Sequence, residues 1–403
     1  MAGSGEQRER RGAVPRYRAT GGPALLSQGF RPFFLAAGLW AVAAMGLFLA
    51  MLAGLIGLAG PLDGISWHVH EMLFGVVGAA LAGFLLTAIP NWTGRLPLQG
   101  ASLALLVGLW LLARLALGLP FGLSPGAVLV LALAFPAILL AACAREIVAG
   151  RAWRNLPLIV ALAVLLLADG LYLADRLGLA DLGGWPMRLG LGVFAALISL
   201  IGGRIIPSFT GNWLKARGES VRPASFGPFD RAALVVTVVA LIAWVAVPEG
   251  PVTGLACALA ALVNGVRLAR WQGHRVLGEP LLAVLHLGYG WLVVSLGLLG
   301  AGAITPAIPQ VAALHALTVG AMGTMILAVM SRATLGHTGR RLVSSPGLTA
   351  AFALITLAAL ARVAAPVMGT DALLLPAGLA WIAAFASFLW VTAPLLLGPR
   401  PVK

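Results

Sequence analysis

Apolar residues in this chain run in long unbroken blocks, with polar residues confined to short gaps between them. Twelve blocks are long enough, or nearly so, to cross a bilayer as helices, which takes roughly 20 residues. They fall at about 32–58, 65–90, 101–119, 125–147, 156–175, 187–207, 231–248, 251–267, 280–302, 307–332, 347–367 and 372–398. The longest polar gap, Arg204 to Arg231, leaves no room for a separate soluble domain. The pattern predicts an all-α polytopic membrane protein with twelve transmembrane helices, a single integral membrane domain over residues 1–403.

Composition agrees. Of 403 residues, 60% are hydrophobic and 10% charged, against about 25% charged in soluble chains. The net charge of +14 does not point to nucleic acid, because the basic residues are scattered through the gaps and not gathered on one face. Their placement instead sets an orientation, since cytoplasmic loops collect Lys and Arg. With the N-terminus inside, all 27 basic residues except Arg114, Arg176, Arg188 and Arg362 lie at inner segments or inner helix ends. Residues 1–31 form a basic cytoplasmic segment without the cleavable-signal pattern. Both termini are expected in the cytoplasm, and a lipid bilayer is the expected surrounding. Cys143 and Cys257 are far apart within apolar blocks and fit buried small hydrophobes better than a disulfide or zinc site.

A repeat runs through the even-numbered blocks. His70, Gly75, Gly78 and Thr93-Gly94-Arg95 recur, at identical offsets, as His315, Gly320, Gly323 and Thr338-Gly339-Arg340. Met187, Gly192, Ala195 and Thr210-Gly211-Asn212 keep the same spacing in the sixth block. Asp169 with Tyr172, and His286 with Tyr289, give a weaker match in blocks five and nine. The repeat predicts three four-helix units, about 32–147, 156–267 and 280–398, in a pseudo-threefold arrangement that resembles the catalytic subunit of haem–copper oxidases. Such units place functional sites where they meet.

Ionisable residues inside membrane spans are costly and point to function. Neutral imidazole suits iron and copper, and haem iron commonly takes axial histidine. His70 and His315, equivalent in two repeats and equal in depth, are therefore expected as the two axial ligands of one haem. Gly75, Gly78, Gly320 and Gly323 would let a flat macrocycle lie against each helix, although close helix packing is the better account of the glycines taken alone. His68 is about 200° around a helix from His70 and would face a second cofactor such as copper; a non-helical start near Trp67 would instead let both reach one metal. His286 should lie roughly a dozen Å deeper than His315, serving a second metal or a proton route. Glu71 would hold a ligand imidazole, and Asp169, Tyr172 and Tyr289 would carry protons.

These segments resemble the NnrS family of bacterial membrane proteins. The resemblance rests on Phe30-Arg31-Pro32-Phe33-Phe34, Trp67-His68-Val69-His70-Glu71-Met72, Asn91-Trp92-Thr93-Gly94-Arg95, Gly203-Arg204-Ile205-Ile206-Pro207, His286-Leu287-Gly288-Tyr289 and the run from His315 to Gly336-His337-Thr338-Gly339-Arg340. It implies a protein holding haem b and copper, tied to nitric oxide metabolism or resistance, in its strongest form a nitric oxide reductase fed by a separate electron donor such as a quinol or a cytochrome. A non-enzymatic haem protein that binds or senses nitric oxide, and a small-molecule transporter, are the alternatives.

Overall fold

A computed structural model describes residues 22–400; the arginines of residues 1–21 that contribute to the expected orientation lie outside that range. Among the described residues there is no strand, and twelve helices are long and apolar enough to cross a membrane. They are α1 Phe30–Leu52, α2 Gly64–Thr93, α3 Ala101–Gly118, α4 Pro125–Ala149, α5 Trp153–Arg176, α6 Trp185–Ala216, α7 Pro228–Ala246, α8 Pro251–Ala269, α9 Pro280–Ile304, α10 Gln310–His337, α11 Pro346–Val367 and α12 Leu374–Leu397. Each corresponds to one of the twelve apolar blocks.

The helix boundaries follow local chemistry. Ser124 and Ser345 cap α4 and α11 by accepting from backbone N–H groups of Ala127 and Leu348, and each is followed by proline at the first helical position. Asp63 caps α2, accepting from the N–H groups of Ile65 and Ser66; hydrogen bonding from Ser66 holds its carboxyl below the ordinary carboxylate range. In the Thr-Gly-Arg repeat, Gly94 and Gly339 take φ of 71° and 76°. That left-handed conformation ends a helix and favours glycine, so the motif stops α2 and α10. In α6 the corresponding Gly211 stays helical and the span runs on to Ala216.

Consecutive helices pack side by side around the molecule, and α12 returns to pack on α1. Arg31 seals that closure: its guanidinium donates to the carbonyls of Leu396 and Gly398, at 2.9 and 2.6 Å. Burial separates two classes of span. In α2, α6, α9 and α10, 56–67% of the apolar window is buried, against 28–39% in the other eight. The outer helices direct Val130, Val160, Ile242, Leu255 and Trp390 outward, a surface that suits a bilayer. At the centre, α2, α6 and α10 face one another across a shared apolar space. These three are also the helices interrupted by π-helical turns, at Glu71–Val77, Ile198–Gly202 and Ala316–Gly323. Such interruptions concentrate at functional sites.

Candidate functional site

Helix α2 has already begun at Gly64, so His68 and His70 point to different sides of it, and their surroundings differ sharply. His70 is fully buried. Its Nδ1 lies 3.0 Å from Glu71 Oε1 and its Nε2 lies 3.0 Å from Asp169 Oδ1 on α5. With a carboxylate at each ring nitrogen, both N–H groups donate and the ring carries a positive charge. Glu71 in turn accepts from Trp40 Nε1 at 2.6 Å and pairs with the Arg114 guanidinium at 2.7 Å. Two cations and two carboxylates thus form a neutral cluster sealed from solvent, which is how charge survives in a low-dielectric interior. Tyr172 packs beside it and donates to the Ser66 carbonyl at 2.9 Å.

His68 looks the other way, into a cavity of about 530 Å³ bounded by α1, α2, α6, α10, α11 and α12. That size is within the range of ligand and cofactor pockets. The ring stacks on Phe48, centroids 3.8 Å apart, and its Nδ1 is buried without a partner. His315 lines the same cavity. Its Nδ1 lies 2.8 Å from the Val311 carbonyl, which fixes the tautomer and leaves Nε2 with a lone pair. Arg362 on α11 is a third polar group in this otherwise mainly apolar wall.

The cavity therefore joins His315 to His68, where the repeat suggested His70. The reason lies in the symmetry of the repeat. Equal offsets put His70 and His315 at corresponding places, and corresponding places around a threefold axis belong to different interfaces. His70 meets α5, the first helix of the second expected unit, while His315 faces α1, the first helix of the first unit, across the cavity. His68 enters the His315 interface from the opposite face of α2.

The glycines also have other partners. A Cβ at Gly75 would come within 2.7 Å of Glu71 Oε2, so this glycine makes room for the ion cluster. Gly320 and Gly323 are covered by Trp291 and Trp381, each at 2.8 Å or less from an added Cβ. Gly78 has nothing within 4 Å. None of the four lies on the histidine cavity. His286 sits near the other end of the bundle, its Nδ1 3.0 Å from the Leu282 carbonyl and its Nε2 3.5 Å from Thr210 Oγ1.

Tyr289 belongs to a second buried network. It donates to Asn264 Oδ1 at 2.5 Å and accepts from Arg267 at 2.8 Å. Arg267 pairs with Asp230 at 3.0 Å and also donates to the Ser199 carbonyl in the π-turn of α6. Arg267, Asp230, Asn264, Arg114 and Trp40 were not singled out by sequence. The arginines and Asp230 fall near block ends, where a basic or acidic residue is ordinary, and only packing shows them buried.

Haem fits the donors at the cavity: two imidazoles with unengaged nitrogens, an arginine able to meet a propionate, and apolar walls. Copper has weaker support. Among the described residues no three of His, Cys, Asp and Glu are arranged to hold a metal ion, and on this cavity only thioethers such as Met72 and Met187 would join the histidines as soft donors of the kind that select Cu(I).

No curated protein matches the sequence. The family model described as NnrS protein matches residues 24–400, nearly the whole chain, and the protein is accordingly a member of the NnrS family.

Proposed function

We propose that this protein is a haem-containing membrane redox protein acting on nitric oxide, with His68 and His315 as the donors to haem b. The observation that carries this reading is the meeting of two imidazoles with unengaged nitrogens on one cofactor-sized cavity. Haem bound there would supply an iron able to exchange electrons, and able to take a diatomic gas when only one of the two imidazoles holds it. The protein's own part is positioning. Phe48 fixes the plane of the His68 ring, the Val311 carbonyl orients His315, and Arg362 offers a charge for a carboxylate.

Reduction of two nitric oxide molecules to nitrous oxide and water consumes two electrons and two protons. In this reading a separate donor, quinol or cytochrome, brings the electrons, and the His70–Glu71–Asp169 cluster holds ionisable protons next to the cavity-lining turn of α2. Binding of nitric oxide without turnover uses the same cavity, and steady-state consumption with an artificial donor separates the two. Copper, if present, belongs beside the histidines with a methionine.

The test is anaerobic purification followed by absorption spectra in both redox states. A Soret band is expected, lost in His68→Ala and His315→Ala but kept in His286→Ala. A protein with no Soret band, or variants that fold and keep it unchanged, would sink the assignment. Both imidazoles on one iron give a six-coordinate low-spin spectrum, one imidazole a high-spin one. We further propose, from the arginine distribution, that both termini are cytoplasmic, and, from the family, that the membrane is a bacterial inner membrane. Reporter fusions after residues 62 and 305 should then read as external, and a cytoplasmic signal from either reverses the topology.

A further inference from the structure

Basic residues crowd one end of the bundle. Between Arg204 and Arg275 the chain holds eight of them, and Arg267 alone is buried. The loop after α6 folds back and joins the others into one surface. Pro223 lies over Gly211 of α6, the Ala224 N–H donates to the Arg270 carbonyl just after α8, and Phe226 lies against Arg204. The acids at this end are already engaged. Asp230 pairs with Arg267 and Arg270, Glu219 pairs with Arg275, and the Glu279 carboxylate accepts from the Leu281 N–H. Among the described residues no acid pairs with Arg204, Lys215 or Arg217. At the end of α2, by contrast, Arg95 shares Glu146 with Arg145. The extra cations come from a departure in the repeat: α6 runs on past the point where Gly94 and Gly339 stop α2 and α10, and that added length carries Lys215.

Two of these guanidinium groups are held by ring faces. Arg217 lies over Trp213 and Arg204 over Phe226, at 4.1 and 5.3 Å from the ring centroids. A ring face engages the charge and leaves the N–H donors unused, and those donors match the oxygens of a phosphate. Arg204 and Trp213 belong to the span α6, and Phe229, partly exposed, opens α7, whose Val235 and Ile242 face outward. An anion on this surface therefore has bilayer-facing helix beside it. Clusters of about four to eight Lys and Arg next to a span suit anionic headgroups. A phosphodiester that carries acyl chains satisfies the cations and the apolar flank together. A soluble phosphate or an acidic peptide satisfies the cations only.

We propose that this surface is a binding site for an anionic phospholipid, with its phosphate on Arg204, Lys215 and Arg217 and its acyl chains along α7. The proposal is independent of the haem reading. The test is native mass spectrometry of the full chain, delipidated in detergent and titrated with cardiolipin, phosphatidylglycerol or phosphatidylcholine. The two anionic lipids are expected to bind at least about tenfold more tightly than phosphatidylcholine. Replacing Lys215 and Arg217 together by Gln should weaken them roughly thirty-fold, from about 1 kcal/mol per basic residue. Arg204→Gln, a second variant from the same surface, should weaken them about fivefold. Arg340→Gln with Arg341→Gln removes the same charge from the end of α10 and should leave binding unchanged. Equal weakening by the α6 and α10 pairs would mean diffuse attraction to a basic face and overturns the site. So does equal binding of phosphatidylcholine, unchanged binding in the folded α6 variants, or full displacement of cardiolipin by inorganic phosphate or polyglutamate. None of these readouts involves the Soret band, so failure here and failure of the haem assignment are told apart.

Discussion

His68 and His70 are two residues apart on one helix, and the protein treats them in opposite ways. His70 is sealed between Glu71 and Asp169, both ring nitrogens engaged and the charges balanced by Arg114. His68 has an aromatic ring to lie against but no partner at its buried Nδ1, and it opens on a cavity. A histidine whose bonds are all made is a structural element, because any ligand must first break an ion pair. A histidine held in place by stacking, with nitrogen to spare, is prepared for something the chain does not itself contain. Within a membrane, where polar groups otherwise find partners inside the protein, an unengaged imidazole is the stronger functional signal of the two.

The largest effect expected from this contrast is on stability. His70→Ala leaves Glu71 and Asp169 facing one another with Arg114 as the one remaining cation, and breaking a buried charge cluster costs about 3–5 kcal/mol. The thermal-unfolding midpoint in detergent should fall sharply, or the protein should fail to accumulate. His68→Ala loses only a stacking contact on a cavity wall and should unfold near the temperature of the unaltered apoprotein. Equal destabilisation by the two substitutions would erase the distinction between a sealed and an open histidine. Combining His70→Leu with Asp169→Asn, which leaves Glu71 paired with Arg114, should recover part of the loss, because no charge is then left unpaired.

Much of this was legible in the sequence, and the part that was not has a physical cause. Twelve helices could be read because a bilayer imposes one length and one polarity on every span, and packing cannot override that. Depth was also legible: His68, His70 and His315 all lie in the first turns of their helices, where α2 and α10 begin. Azimuth was not. A repeat reports equivalence, but it does not say whether equivalent residues face one another or sit in separate interfaces, and that choice moved His70 out of the cavity and His68 into it. The 200° between the two histidines was the available clue, and it correctly put them on different faces without saying which face was lined by α1. The glycine offsets carried a similar ambiguity. Absent side chains mark close approach, yet Trp291 and Trp381 fill the space as well as a macrocycle would.

The smallest effect separates two glycines that sequence treated alike. Gly75 lies in the π-turn of α2, where an added Cβ would press on Glu71 Oε2, Trp40 Nε1 and Arg114, at 2.7, 3.1 and 3.2 Å. All three are members of the sealed cluster, and none can withdraw without loosening an ion pair or a hydrogen bond. Gly75→Ala should therefore cost about 1–3 kcal/mol, the usual penalty for overfilling a packed interior. Gly78, one turn on, meets nothing within 4 Å, so alanine there adds a methyl to open space. Alanine is better suited to a helix than glycine by about 0.8–1 kcal/mol, and Gly78→Ala should leave the unfolding temperature unchanged or raise it slightly. If both glycines instead admitted a macrocycle, both alanines would weaken haem retention, and neither stability change would follow this order. Measuring the Soret band and the unfolding midpoint on the same two variants decides between these outcomes: opposite shifts in the midpoint with the Soret band intact place the cofactor with His68, and parallel loss of haem returns it to the face of His70.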